Sequence, residues 1–236
     1  MSENEEIKGK LFVVATPIGN PEDISQRAIH VIRMSDFVIC EEYKEGARLL
    51  AGIKLNKELI KYNEHSGLED IINIIDLIKE GKKLALISDC GTPAIADPGH
   101  DLIRACIKNN YNMEVVPGAS SPLTALLYSG FDSSEFLFAG FLGRTEEDRI
   151  RKLKELSSQT RTVILLETPY RLKNFLASAS KVLPNRHAYI GFNLTYAYES
   201  HHYGTFEELN DKFKDQRLKA EFVVVFEGRG GSRVAY

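Results

Sequence analysis

Leu84-Ala85-Leu86-Ile87-Ser88-Asp89-Cys90-Gly91-Thr92-Pro93-Ala94-Ile95-Ala96-Asp97-Pro98-Gly99 decides the fold. Four apolar residues read as a buried strand, and the twelve that follow are small, turn-forming or polar. A helical pattern resumes at 100–109, so the stretch is strand, loop, helix. Glycine lets a backbone approach a ligand closely, and proline fixes the turn that holds it there. Open α/β sheets bind ligands beyond the carboxyl ends of their strands, where such a loop must sit. Two further loops have the same make-up: Ala15-Thr16-Pro17-Ile18-Gly19-Asn20 after Leu11-Phe12-Val13-Val14, and Pro117-Gly118-Ala119-Ser120-Ser121-Pro122 after Val115-Val116. Three loops of this kind imply one cleft for a small polar ligand.

Outward from these loops, apolar runs alternate with helical patterns. Strands are expected at 11–15, 37–40, 59–62, 84–88 and 114–116, with helices at 21–34, 46–51, 68–80 and 100–109 between them. The first helix has a marked start, with Asn20 as N-cap and Pro21 in the first turn. Its apolar stripe is Ile24, Ala28, Val31 and Ile32. Such alternation predicts parallel strands with crossover helices on both faces. After Ser121 the pattern changes register: helices at 123–129, 146–158, 170–183 and 206–214 are interleaved with strands at 136–141, 162–166, 188–192 and 222–226. The expected organisation is a flexible tail at 1–10, an α/β domain at 11–118, a second α/β domain at 119–228 with the ligand cleft between the two, and a flexible tail at 229–236.

Composition narrows the function classes. Of 236 residues, 43% are hydrophobic and 27% charged, enough for a sizeable core in a soluble chain. No run approaches the length of a membrane span, and Met1-Ser2-Glu3-Asn4-Glu5-Glu6 is too acidic for a signal peptide. Cys40, Cys90 and Cys106 cannot all pair and show no CxxC spacing, which fits reduced thiols in the cytoplasm and no metal site. A net charge of −3 argues against nonspecific coating of nucleic acid. A local basic stretch remains at Arg144, Arg149, Arg151, Lys152 and Lys154; mixed with Glu146, Glu147 and Asp148, it equally suits a solvated helix face.

The loops lack the GxxxxGK[ST] phosphate cradle, the GxGxxG dinucleotide fingerprint and the GxSxG elbow of serine hydrolases. What remains is a ligand held by backbone groups, hydroxyls and small side chains.

Taken in order, Ala15-Thr16-Pro17-Ile18-Gly19-Asn20-Pro21-Glu22-Asp23-Ile24, Ser88 to Gly99, Pro117-Gly118-Ala119-Ser120-Ser121 and Glu167-Thr168-Pro169-Tyr170-Arg171-Leu172 resemble the small-subunit ribosomal RNA methyltransferase I branch of the tetrapyrrole methylase superfamily. The resemblance runs from Leu11 to Gly228. It implies S-adenosylmethionine bound between two α/β domains, and methyl transfer to the 2′-hydroxyl of a cytidine in 16S ribosomal RNA of the small subunit. It implies a homodimer as well. Carried over position by position, the cofactor contacts are Pro17, Cys90, Gly91, Thr92, Ile95, Ser120, Ser121, Glu167 and Leu194. Ile95 suits core packing equally well, and Ser120 and Ser121 suit helix capping.

The chain departs from that family at three places. Glu41-Glu42-Tyr43-Lys44 stands where the family reads Glu-Asp-Thr-Arg, so an expected arginine is Lys44, which keeps the charge and loses the bidentate fork. Tyr62-Asn63-Glu64-His65 stands for Tyr-His-Glu-His. After Asn193-Leu194-Thr195, Tyr196-Ala197-Tyr198-Glu199-Ser200-His201-His202-Tyr203 replaces a charged pattern.

Methyl transfer from a sulfonium is an in-line displacement, so alignment of nucleophile and methyl is the main task. A ribose hydroxyl also needs a base for its proton, a contribution of typically ~10²–10⁴-fold. The candidates are Asp89, Glu64 and His65, with Glu167 a further carboxylate; Asp89 is preferred for its place in the loop, where hydrogen bonding to the loop backbone is the competing role. Asn20, Lys44, Arg144 and Arg171 are the candidates for holding substrate, and Tyr196, Tyr198 and Tyr203 suit either base stacking or a sheet. His201 and His202 would point to opposite faces of a strand, a poor metal pair. Two other readings stay open: a methylase of a tetrapyrrole or other small acceptor, and a non-catalytic sensor or ribosome-assembly factor that binds the same cofactor.

Overall fold

The computed structural model describes residues 9–216, 218 and 220–231, and they divide along the chain, between Ser120 and Ser121, into two compact units. The expected tails at 1–10 and 229–236 lie outside the described residues except at Gly9, Lys10 and 229–231; Lys10 already opens the first strand.

The first unit is a five-stranded parallel sheet in the order β3-β2-β4-β1-β5. Its strands are β1 Lys10–Val14, β2 Phe37–Cys40, β3 Glu58–Lys61, β4 Lys83–Ile87 and β5 Met113–Val116. Because successive strand residues face opposite sides, β1 serves two cores. Leu11 and Val13 pack with Ile74, Ile75 and Ile78 of α3 (Leu68–Lys79) and Leu102 and Cys106 of α4 (His100–Lys108). Phe12 and Val14 pack with Ala28, Val31 and Ile32 of α1 (Gln26–Met34) and Leu50 of α2 (Tyr43–Gly52). Asn20 caps as expected, its Oδ1 accepting from the Glu22 amide, but the helix it starts is a single 3-10 turn at Pro21–Asp23. Ser25 then caps α1 by accepting from the Ala28 amide.

The first sheet is parallel as its alternation predicts, and the second unit, past the change of pattern at Ser121, differs. Its sheet is mixed, in the order β6-β7-β10-β8-β9, from β6 Phe136–Phe141, β7 Thr162–Glu167, β8 His187–Phe192, β9 Ser200–Thr205 and β10 Phe222–Phe226. Only β6 and β7 run parallel; β10 is antiparallel to both β7 and β8, and β8 to β9. One face carries α6 (Glu146–Ser157), α7 (Leu172–Val182) and α8 (Phe206–Phe213), with Phe175, Phe206 and Phe226 fully buried among them. Helix α5 (Ser121–Ser129) lies against β7, β8 and β10. The β9 segment lacks alternating apolar residues, and its sequence Ser-His-His-Tyr-Gly-Thr forms the strand on which His201 and His202 were expected to face opposite sides. Among the described residues no helix is long and apolar enough to cross a membrane.

Candidate active site

In the first sheet, β1 leads leftward across β4 to β2, whereas β4 leads rightward across β1 to β5. The crossovers leave the β1–β4 pair in opposite directions, so the carboxyl ends of these neighbours form a topological switch point, the place where open sheets hold ligands. All three loops singled out by composition start at this edge, after β1, β4 and the adjoining β5.

Thr16 knots two of them together. It is buried, and its hydroxyl donates to the Ser88 carbonyl at 3.0 Å and accepts from the Gly91 amide at 3.2 Å. Its own amide donates to the Gly91 carbonyl at 2.8 Å. Thr92 fastens the third loop, donating to the Ala119 carbonyl at 3.1 Å. Gly91 sits at φ +90°, and a Cβ there would come within 3.1 Å of the Ile18 side chain, so both conformation and space call for glycine. Gly118 lies so close to Ala15 that a Cβ would meet the Ala15 Cβ at 3.0 Å.

Carboxylates gather at the same edge. Glu41 follows β2 directly, Asp89 and Asp97 belong to the loop after β4, and Glu64 follows β3. Burial pushes the Glu41 carboxyl up to about 7, reinforced by the negative charges of Asp97, Asp89, Glu42 and Glu64. Asp89 and Asp97 are raised by burial too, against hydrogen bonds from the Glu42 amide and the Ser88 hydroxyl. Among the described residues, no group of three or more His, Cys, Asp or Glu has a metal-binding arrangement.

The loop residues expected to touch cofactor thus stand together in the first unit: Pro17, Cys90, Gly91, Thr92, Ile95 and Ser120. Ile95 is 43% exposed, which removes core packing as its role. Asp89 faces this edge, and its Oδ1 accepts from the Glu42 amide at 3.3 Å, so it also ties the ends of β4 and β2. Glu64 and His65 are both exposed in the turn after β3, where the Asn63 side chain accepts from the His65 amide. Lys44 is exposed on the first turn of α2, and Asn20 is half-buried and occupied in its cap. Glu41 and Asp97 were missed as site residues, although Glu41, a carboxylate directly after the buried strand β2, carries a signal in its position.

In the second unit Ser121 opens α5. Leu194 is buried between Asn193 (φ +48°) and Thr195 (φ +68°). Glu167 ends β7 with its side chain wholly buried, paired with Arg171 at 3.1 Å, and burial raises its carboxyl despite that partner. The Glu167 Oε1 and Arg171 Nε atoms have no hydrogen-bond partner. Arg171 corrects its expected role as a phosphate holder: its Nη2 donates to the Leu142 and Gly143 carbonyls at 2.9 and 2.6 Å. In the basic stretch, two exposed ion pairs suit the solvated helix face, one of its two readings. Arg149 is buried and donates to the Arg144 carbonyl at 2.8 Å, while Arg151 pairs with Asp148 and Lys152 with Glu155. Arg144 stays exposed. Tyr196 and Tyr198 stack on each other with centroids 5.2 Å apart, and Tyr203, in β9, donates to the Tyr128 carbonyl. On β9, His201 meets Tyr189 while His202 packs against Phe192 and Phe213.

Comparison with known proteins places the chain in a family. Residues 10–210 match the family model of the Tetrapyrrole (Corrin/Porphyrin) Methylases. A protein of Rickettsia prowazekii named ribosomal RNA small subunit methyltransferase I is 41% identical over 94% of this chain and 79% of its own length. Its namesake in Thermotoga maritima is 35% identical over 94% of this chain and 99% of its own. Among solved structures, a uroporphyrin-III-C-methyltransferase from Thermus thermophilus aligns with a TM-score of 0.66 at 21% identity, covering 93% of this chain and 94% of that one. A diphthine synthase aligns with a TM-score of 0.69 at 15% identity, covering 93% and 90%. These structural likenesses speak for the fold. With most of its length matched by the family model, and at these identities to relatives sharing one name, the chain belongs to the tetrapyrrole methylase family and, within it, to the group of ribosomal RNA small subunit methyltransferases I.

Proposed function

We propose that this methyltransferase acts on the RNA of the small ribosomal subunit, transferring methyl from S-adenosylmethionine to the 2′-hydroxyl of a cytidine in 16S RNA. The observation that carries the reading is the carboxylate-rimmed loop Ser88 to Gly99 at the switch point of the first sheet. Its donor set fits the cofactor. Hydroxyls of Thr92 and Ser120, backbone groups around Gly91 and apolar Pro17 and Ile95 suit a nucleoside, and the Glu41 and Asp89 carboxylates suit its cation. When bound, S-adenosylmethionine supplies a methyl group activated by its positively charged sulfur.

The chain's own work is to fix the nucleoside through the knotted loops and to take the proton from the attacking hydroxyl. Asp89 is the favoured base; Glu64 and His65 stand at the same sheet edge. Asn20, Lys44 and Arg144 are proposed to meet RNA. Arg171 is left out, since its guanidinium is engaged within the protein. A cytoplasmic homodimer accompanies this reading: Leu127 (78% exposed) and Phe141 (48%) give the second unit apolar surface for a second copy to cover.

The test supplies methyl-labelled S-adenosylmethionine with small subunits lacking the modification and, separately, with free tetrapyrroles. Label in a ribose of 16S RNA is expected. Label in tetrapyrroles alone overturns the RNA assignment, and tight cofactor binding without transfer to either would favour a sensor.

A further inference from the structure

Loop 88–99 is held in an unfavourable shape. Ala94 and Ala96 lie at φ +64° and +65°, alongside Gly91 at +90° and Gly99 at +129°. Left-handed alanines persist only where surrounding contacts over-determine them. Hydrogen bonds at the near end of the loop do part of this through Thr16 and Thr92. At the far end one side chain does it: Asp97, next to Ala96, accepts a short hydrogen bond through Oδ2 from the hydroxyl of Ser88. Ser88 is 4% exposed, and its Oγ accepts from the Cys90 amide at 3.1 Å. The side chain of Ser88 therefore joins the first turn of the loop, at Cys90, to the last, at Asp97.

From this geometry we propose that Asp97 is a positioning residue for cofactor binding: its carboxylate, bonded to Ser88, closes the loop into the shape that presents the Gly91–Thr92 backbone to the nucleoside. The proposal rests on the cofactor reading above and adds a residue that neither touches the nucleoside nor takes a proton. Its cost is visible, since burial among other carboxylates raises the Asp97 carboxyl while the Ser88 hydrogen bond opposes that rise. A buried carboxylate beside Asp89 is retained there because it fixes the loop.

The experiment uses the full chain with Asp97→Ala, Ser88→Ala, the double variant and Asp97→Asn. Hydrogen exchange is followed at the amides of residues 90–96, and the affinity for S-adenosylhomocysteine is measured by calorimetry. Asp97→Ala and Ser88→Ala should each speed exchange and weaken binding by roughly tenfold or more, with the double variant no worse than Ser88→Ala, which already breaks the bond to Asp97 together with the one from the Cys90 amide. Asp97→Asn keeps an acceptor oxygen and should restore both readouts to within about threefold of the parent. Unchanged exchange in Asp97→Ala, or additive losses in the double variant, overturns the clamp. If the parent fails to bind the nucleoside, the cofactor reading falls, while the exchange data still decide whether the clamp exists.

Discussion

Replacing Glu41 by glutamine should stabilise the protein at pH 8 and leave it nearly unchanged at pH 5. The Glu41 carboxyl is held at about 7 in the folded chain, against an ordinary value of 4.5. Between those limits the folded state keeps a proton that the unfolded state has released, so stability falls as pH rises through the window. The full displacement corresponds to roughly 3 kcal/mol, and partial solvent access at this sheet edge reduces the expectation to about 1–2 kcal/mol. Glutamine cannot ionise and escapes the loss. Urea denaturation followed by far-ultraviolet circular dichroism, run on both proteins at pH 5 and pH 8, reads the difference directly. A stability gap of the same size at both pH values would falsify the account of Glu41 as a crowded carboxyl. A gap that widens toward acid would reverse its sign.

Other outcomes are equally open to measurement. Arg171→Leu leaves the wholly buried Glu167 carboxyl without its cation and should cost about 3–5 kcal/mol; the Glu167→Gln, Arg171→Leu pair should recover part of it, as a double-mutant cycle in urea would show. Gly99→Ala forces a side chain into φ +129° and within 3.0 Å of Leu86, so it should lose about 1–3 kcal/mol and bind S-adenosylhomocysteine more weakly. Thr205→Ala removes one arm of the capping box with Glu208 and should lower stability by about 1 kcal/mol without touching affinity for that nucleoside.

Much of the fold was legible because its strands are apolar runs ended by turn residues. β2, β6 and β10 stand at their expected bounds, and β1, β3 and β4 differ by one residue at each end. The mixed pairing of the second sheet was not legible, because strand direction depends on which distant strand β10 joins, and Phe222–Phe226 reads the same in either orientation. The site loops announced themselves through Gly, Pro and hydroxyl content. Arg149 and Arg171 misled because charge on a helix face or at a helix start says nothing about which carbonyls lie within reach of a long guanidinium. Asp97 went unread for a related reason: only the folded loop brings it to Ser88, whereas Glu41 was readable from its place directly after β2.

The place of β10 in its sheet has a consequence for biosynthesis. Every strand of the first sheet has been made by Val116, so that half has all its pairing partners while later codons are still being read. In the second sheet the central position between β7 and β8 stays vacant until Phe222–Phe226 has left the exit tunnel. Until then two apolar strands present unpaired edges, the kind of exposure to which chaperones respond. Ribosome stalling before residue 222 should therefore yield a nascent chain with a protease-resistant front half and a back half that depends on such help.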